Sequence, residues 1–162
     1  MSAQRIQANR ALKIIPSDYC GIPYPAPIYT GSTSASVGPT VLYDVNGNFI
    51  TRNVRIGDIV YNFTDNTAAT VTVVTSEQSL TLNGTIIYSL GANYTIYQAS
   101  EQTTIGNYGC VLYVGTAGDV NLTTTGSDSV ILSNVNAGQF IPVQTLGVRL
   151  SGTTASNIVA LW

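Results

Sequence analysis

The chain has 162 residues, enough for one ordinary domain or two small ones, and it is 44% hydrophobic but only 9% charged. Thr, Val, Ile and Tyr are common and favour β-strands, whereas the residues that cover solvent-facing helices are scarce, with Lys13 the sole lysine. We therefore expect an all-β fold with few helices. So low a surface charge leaves little to keep copies apart, and it favours assembly over a free monomer.

The net charge of -2 is divided unevenly. Residues 1–38 carry +3 - 1 = +2, and the remainder carries +3 - 7 = -4, so a mildly basic N-terminal segment precedes an acidic body. Three cations are too few for the roughly six to ten phosphate contacts of a duplex binder, and nucleic acid is not an expected partner. No run of about 18 apolar residues and no signal-peptide pattern is present, so we expect no membrane partner and folding in the cytoplasm.

The first forty residues predict an arm followed by an extended path. Residues 1–12 are helix-compatible but too short for a stable isolated helix, so they are predicted to be an arm that orders on a partner. Residues 13–16 predict a short apolar strand. The prolines between 16 and 27 favour extended chain, and the small residues at 30–39 predict a loop or linker.

The middle of the chain alternates short apolar runs with turn residues. Asn46-Gly47 lies between two such runs and predicts a β-hairpin with a type I′ turn. The predicted strands are 41–45, 49–52, 58–63, 70–74, 80–82 and 94–97. Five or six short strands in about sixty residues are typical of a small β-barrel or sandwich.

The last third of the chain also alternates short apolar runs with turn residues, and its turns are spaced as in a β-sandwich. The predicted strands are 110–114, 120–125, 129–135, 139–143, 147–150 and 157–161. Trp162 follows the last of them. So large an apolar residue at this position predicts docking, either in this chain's own core or on a neighbouring subunit.

Few residues are suited to catalysis or to metal binding. The chain has no histidine, and so lacks the usual general base, metal ligand and triad partner. Lys13 has no SxxK pattern around it. Asp44, Asn46 and Asn48 resemble the start of a calcium loop, but such a loop needs Glu at position 12, where this chain has Arg55. A turn is the favoured interpretation.

Asp119 and Asp128 are a candidate carboxylate pair for glycoside cleavage. Both lie in glycine-containing turns, where Asp commonly binds local backbone groups, and the turn interpretation is favoured. The sequence therefore predicts no catalytic residues, no cofactor and no metal site. A carbohydrate-active enzyme stays open as an alternative, which turnover of a bacterial polysaccharide would reveal.

Two cysteines and ten tyrosines complete the set of candidate residues. Cys20 and Cys110 form no CxxC pair, and two reduced thiols are favoured over a bridge. Several tyrosines could form a sugar-binding platform, although cross-strand pairs and interface anchors are the favoured roles. The tyrosines concerned are Tyr61, Tyr94, Tyr97 and Tyr113.

Residues 109–162 resemble a module of tailed-bacteriophage virion proteins. The resemblance lies in YVGTAGDV at 113–120, NAGQFIPV at 136–143 and GTTASNIVALW at 152–162. In that group a segment like NRALKIIPSD, here residues 9–18, commonly occurs near the start of the chain when such a C-terminal module is present. The resemblance therefore implies that the N-terminal and C-terminal segments share one β-domain. Residues 55–74, with the strands after them, are similar to a small β-barrel inserted in phage structural proteins.

The resemblance implies a three-part organisation. An arm at 1–12 precedes a β-sandwich formed by 13–38 with 100–162, and a β-barrel module at 39–99 is inserted into it. The expected function is that of a capsid decoration or cement protein, a homotrimer bound to the major capsid protein in the virion. A tail, spike-base or head-fibre component, with possible host-surface contact, is the alternative.

The contacts expected of such a protein follow from the charges and from the final residue. Arg5, Arg10 and Lys13 are the candidate capsid contacts because they carry the positive charge of the arm. Trp162 is the candidate contact to another subunit or neighbour.

Overall fold

A computed structural model describes residues 8–87, 89–99 and 109–162, and these form strands and turns without a helix. The predicted all-β class is confirmed. In chain order the strands are β1 (Ala11–Lys13), β2 (Pro27–Ser32), β3 (Val41–Tyr43), β4 (Ile59–Asn62), β5 (Thr67–Val74), β6 (Ser79–Leu82), β7 (Asn93–Tyr97), β8 (Cys110–Thr116), β9 (Gly118–Thr124), β10 (Ser129–Val135), β11 (Gln139–Val148) and β12 (Ser156–Leu161).

The described residues divide into two compact units. Residues 8–14 and 109–162 form unit 1, and residues 15–87 with 89–99 form unit 2. Each unit contains one six-stranded antiparallel sheet.

The sheet of unit 1 has the order β1-β12-β8-β11-β9-β10. β11 pairs with β8 through its first residues and with β9 through its last, and the register shifts between these two stretches. Such irregularities bend a strand, so the sheet folds over at β11, as in a β-sandwich. Two separate strands, 139–143 and 147–150, were predicted where the single strand β11 lies. The core is lined by Leu112, Val114, Val120, Leu122, Ile141, Val148, Ile158 and Ala160.

The end of the predicted arm belongs to unit 1. β1 pairs with β12, and the backbone N–H of Trp162 donates to the carbonyl oxygen of Arg10 at 3.0 Å. The arm prediction is therefore wrong for residues 9–12, because their backbone groups have strand partners in the same chain. Residues 1–7 lie outside the described residues.

The sheet of unit 2 has the order β2-β7-β4-β5-β6-β3. β2 pairs with β7 from Pro27↔Tyr97 to Ser32↔Asn93, so residues 15–38, which were predicted to belong with the C-terminal third, lie in the middle unit instead. Pro27 does not prevent this pairing, since it is the first residue of β2 and an edge strand tolerates a proline there. The outer strands β2 and β3 share no ladder in the described chain, so the sheet does not close into a barrel.

The predicted hairpin at Asn46-Gly47 is wrong. β3 pairs with β6, and residues 44–57 form a series of turns in which Asn48, with φ of 46°, takes the left-handed conformation. Phe49 is fully buried in the core of unit 2, and its N–H donates to the carbonyl oxygen of Glu77 at 2.9 Å. Burial of this ring stabilises the loop by roughly 1.5–3 kcal/mol, because a full apolar side chain leaves water.

Asp44 organises the beginning of this loop and is itself only 2% exposed. Its carboxylate accepts hydrogen bonds from the hydroxyl of Tyr94 at 2.7 Å, from that of Tyr29 at 3.2 Å and from the backbone N–H of Asn46 at 2.9 Å. Tyr29 lies on β2, Tyr94 on β7 and Asp44 directly after β3. The buried carboxylate therefore joins three strands, and its cost of burial is offset by these donors.

Candidate interaction surface

The candidate site is the outer edge of unit 1, formed by β10 and the first half of β11. β10 has the sequence SVILSNV, rich in residues of high β-propensity. It pairs with β9 from Ser129↔Thr123 to Val135↔Gly118 and with no other strand of the described chain. We call this unpaired side of the strand the β10 edge.

The direction of the backbone groups in β10 follows from the turn that precedes it. The N–H of Thr124 donates to the carbonyl oxygen of Asp128 at 2.9 Å, so these two residues form a hydrogen-bonded pair. Such pairs alternate along an antiparallel ladder, and Val130 and Leu132 therefore bond to β9. The N–H and C=O groups of Ser129, Ile131 and Ser133 point away from β9, towards the open edge.

Beside this edge lies an open groove of about 390 Å³ that both polar and apolar side chains line, from residues 131–135 of β10 and 139–143 of β11. Ile131 is 52% exposed and Phe140 is 56% exposed, although both are large apolar side chains. The Phe140 ring contacts that of Tyr113, with 5.2 Å between centroids. The chain has no charged residue between Asp128 and Arg149, so none of the residues that line the groove is charged.

This combination is suited to binding a protein segment. Exposed sheet edges commonly carry lysine, proline or inward-pointing charge that prevents other strands from pairing with them. β10 has neither a charge nor a proline, whereas the opposite edge strand, β1, has Lys13 exposed. An extended segment could add to β10 through main-chain hydrogen bonds while its side chains enter the neighbouring groove.

Sequence reasoning predicted the strand at 129–135 but not that it lies at an edge. The signal that could have shown it is the uncharged run between Asp128 and Arg149, which contains several large apolar residues.

The predicted capsid contacts do not form one patch. Arg5 lies outside the described residues. Arg10 and Lys13 are both exposed, but they are three positions apart on extended chain, so their side chains leave opposite faces of the sheet. Trp162 is half-buried, and its backbone is bonded to Arg10 and Asn9 of its own unit. Contact of these residues with another protein stays a prediction.

The candidate residues for calcium binding and for glycoside cleavage have structural roles. Asp44 binds the tyrosine hydroxyls described above, and no group of three or more potential metal ligands occurs within the described ranges. Asp119 accepts the N–H of Asn134, and Asp128 accepts the hydroxyl of Thr124. Asp119 is the second residue of β9, and Asp128 lies opposite Thr124 at its other end, which separates the two aspartates by roughly 17 Å at 3.4 Å per residue. Paired carboxylates in glycosidases lie within about 10 Å.

The tyrosines considered as a sugar platform are mostly internal. Tyr61 and Tyr94 are fully buried and Tyr97 is 7% exposed. Tyr61 and Tyr97 form a cross-strand pair with ring centroids 5.5 Å apart, and Tyr113 packs on Phe140. These rings therefore contribute to packing, as the favoured interpretation had it.

Cys20 and Cys110 are free thiols in different units. Burial raises the pKa of each thiol to about 12. A thiol of such high pKa is protonated and a poor nucleophile at neutral pH.

No known family, no curated protein and no solved structure matches this chain. Among the residues that the structure describes, none belongs to a helix of the length and apolarity needed to cross a membrane.

Proposed function

We propose that this chain is a noncatalytic structural protein that acts by binding other protein subunits. The observation that carries the proposal is the β10 edge, where unpaired strand groups lie beside a groove whose lining residues are uncharged and include the exposed Ile131 and Phe140. Proteins of this kind need no reactive groups, and the Asp side chains considered for chemistry are engaged in turns and in a buried hydrogen-bond cluster.

The assembly we propose is the virion of a tailed bacteriophage, where the chain decorates and stabilises the capsid shell as a cement protein. Support comes from the resemblance of residues 109–162 and from the low charge of the whole chain. We propose that it binds the major capsid protein as a homotrimer. The three copies of one contact surface in the trimer then bind the shell at the same time, and the combined affinity exceeds that of a single surface.

Copy number in the particle is the sharpest test. Purified virions are digested and this chain is quantified against the major capsid protein by mass spectrometry with isotope-labelled peptides. Decoration of the shell requires hundreds of copies. A few to a few dozen copies would overturn the capsid proposal and place the chain in a tail, spike base or head fibre, and absence from virions would overturn both.

A binding experiment separates attachment from mere co-purification. Shells that lack this chain are mixed with the purified protein and sedimented, and the bound fraction is measured at increasing concentration. Saturable binding is expected. Failure to sediment with shells at any concentration would contradict the proposal.

A further inference from the structure

The order of polar and apolar side chains in the first five residues of β10 is the same from either end. Residues 129–133 read Ser-Val-Ile-Leu-Ser, with serine at both ends, branched aliphatic residues next to them and Ile131 in the centre. A contact between two identical surfaces about a two-fold axis requires such self-complementarity, because each pair of residues occurs twice.

We infer that β10 pairs antiparallel with β10 of a second copy of this chain, about a two-fold axis at Ile131. In this register Ile131 opposes Ile131 of the second copy, Val130 opposes Leu132, and Ser129 opposes Ser133. Apolar side chains thus face apolar side chains, and hydroxyls face hydroxyls.

The backbone geometry fits this register. The outward N–H and C=O groups belong to Ser129, Ile131 and Ser133, and the register pairs these three residues with one another. Each such pair exchanges both N–H···O=C bonds, as in an ordinary antiparallel ladder. A register shifted by one residue is excluded. It would place backbone groups that point to the second copy opposite backbone groups that are already bonded to β9.

The charges at the ends of β10 also permit the contact. Asp128 lies opposite Asn134 of the second copy, whose side-chain amide can donate to a carboxylate. The two Asp128 carboxylates are six positions apart, roughly 20 Å at 3.4 Å per residue, which exceeds the Debye length of about 8 Å at physiological salt. Along residues 128–134 no like charges oppose each other, and the Asp119 carboxylate near the end of β10 is occupied by the N–H of Asn134 at 2.8 Å.

The pairing ends with two copies. Asn134 has φ of 56°, and the register with β9 shifts between Leu132 and Val135, so regular strand stops just after Ser133. Once both β10 edges are paired, the remaining edge strand of unit 1 is β1, with Lys13 exposed. If the chain also forms a trimer through another surface, the β10 contact joins two trimers.

Charge at the two-fold axis provides the test. Ile131→Lys and Ile131→Glu each place two like charges directly opposite, about 5 Å apart between Cβ atoms, which destabilises the pair. Sedimentation equilibrium of the full chain is expected to show that each variant has half the molar mass of the wild-type assembly. Mixing the two variants opposes Lys to Glu and is expected to restore the wild-type mass.

The control is Ile56→Lys, which adds the same charge at a residue of unit 2 that is 69% exposed. It is expected to leave the molar mass unchanged, and thermal melts of all variants show whether they fold. Wild-type mass in the Ile131→Lys variant, or no recovery in the mixture, would overturn the inference.

Amide hydrogen exchange tests the β10 pairing a second time, in the wild-type chain. The amide protons of Ser129, Ile131 and Ser133 are expected to be protected at high protein concentration and to exchange faster on dilution. Fast exchange at both concentrations would contradict the pairing. If the chain pairs in this way but does not bind shells, the capsid proposal fails and the pairing stands.

Discussion

The hydroxyl of Tyr94 donates a 2.7 Å hydrogen bond to the carboxylate of Asp44, although the two residues are 50 positions apart in the sequence. Tyr94 is fully buried and Asp44 nearly so. A buried carboxylate that loses a donor is left partly unsatisfied, and such a loss costs more than an average hydrogen bond contributes. This bond connects β7 to the loop that follows β3, so it bears directly on the stability of unit 2.

We expect Tyr94→Phe to lower the free energy of unfolding by about 1–3 kcal/mol, since it removes one donor from a buried carboxylate. Urea denaturation followed by circular dichroism measures the change. Tyr43→Phe is the matched control, because the Tyr43 hydroxyl binds the uncharged Gln78 at 3.2 Å in a part-buried position. Equal losses in the two variants would show that the Asp44 contact has no special importance.

Alkaline pH is expected to unfold unit 2. Burial, followed by the hydrogen bond and the charge of Asp44, raises the pKa of Tyr94, and burial also raises the pKa values of Tyr29 and Tyr97. The folded state therefore holds these protons more tightly than the unfolded state. The resulting stability is present below the ordinary tyrosine pKa of about 10 and is lost as pH rises above it.

Absorbance of tyrosinate at 295 nm, recorded with circular dichroism, tests this expectation. The buried tyrosines are expected to ionise together with loss of strand signal, after the exposed ones. The expectation would be contradicted if all ten tyrosines ionised near pH 10, the usual range for an exposed tyrosine, while the fold stayed intact.

Cys20 and Cys110 are expected to react slowly with a disulfide reagent in the native protein. Burial raises the pKa of each thiol to about 12, so little thiolate is present at pH 8. Both thiols are expected to react at once in denaturant. Rapid reaction of the native protein would show that one thiol is more accessible than the structure indicates.

Backbone pairing of β1 is testable with proline. Leu12 pairs with Ala160, and by the alternation from the bonded pair of Arg10 and Trp162 its N–H points to β12, whereas that of Lys13 points away. Leu12→Pro is therefore expected to lower the melting temperature more than Lys13→Pro does. Leu12→Ala separates the effect of the lost side chain. Similar melting temperatures for both proline variants would mean that β1 contributes little to unit 1.

Charge reversal tests the predicted capsid contacts. Arg10→Glu with Lys13→Glu is expected to weaken binding to shells by about tenfold, since both residues are exposed and each rim charge contributes modestly. Arg149→Glu, another exposed arginine of unit 1, is the control. Equal binding of both variants would remove Arg10 and Lys13 from the contact.

The alternation of apolar residues and turn residues along the sequence predicted most of the strands that the structure contains. The runs that became β4 to β10 and β12 alternate apolar residues with turn residues, and this pattern depends on neighbours along the chain. The hairpin at Asn46-Gly47 failed because distant groups hold the residues on either side of it: Phe49 is buried in the core with its N–H bonded to Glu77, and Asp44 binds the hydroxyl of Tyr94. Tertiary contacts of this kind leave no trace in a window of ten residues.

The all-β class and the uncharged run between Asp128 and Arg149 can be read from the sequence, since both depend only on composition and on the order of neighbouring residues. The tertiary structure alone decided that β2 pairs with β7, that residues 9–12 pair beside β12, and that β10 is an edge. Strand order is set by contacts between residues far apart in the chain, and whether a strand keeps an unpaired side depends on where all the other strands lie.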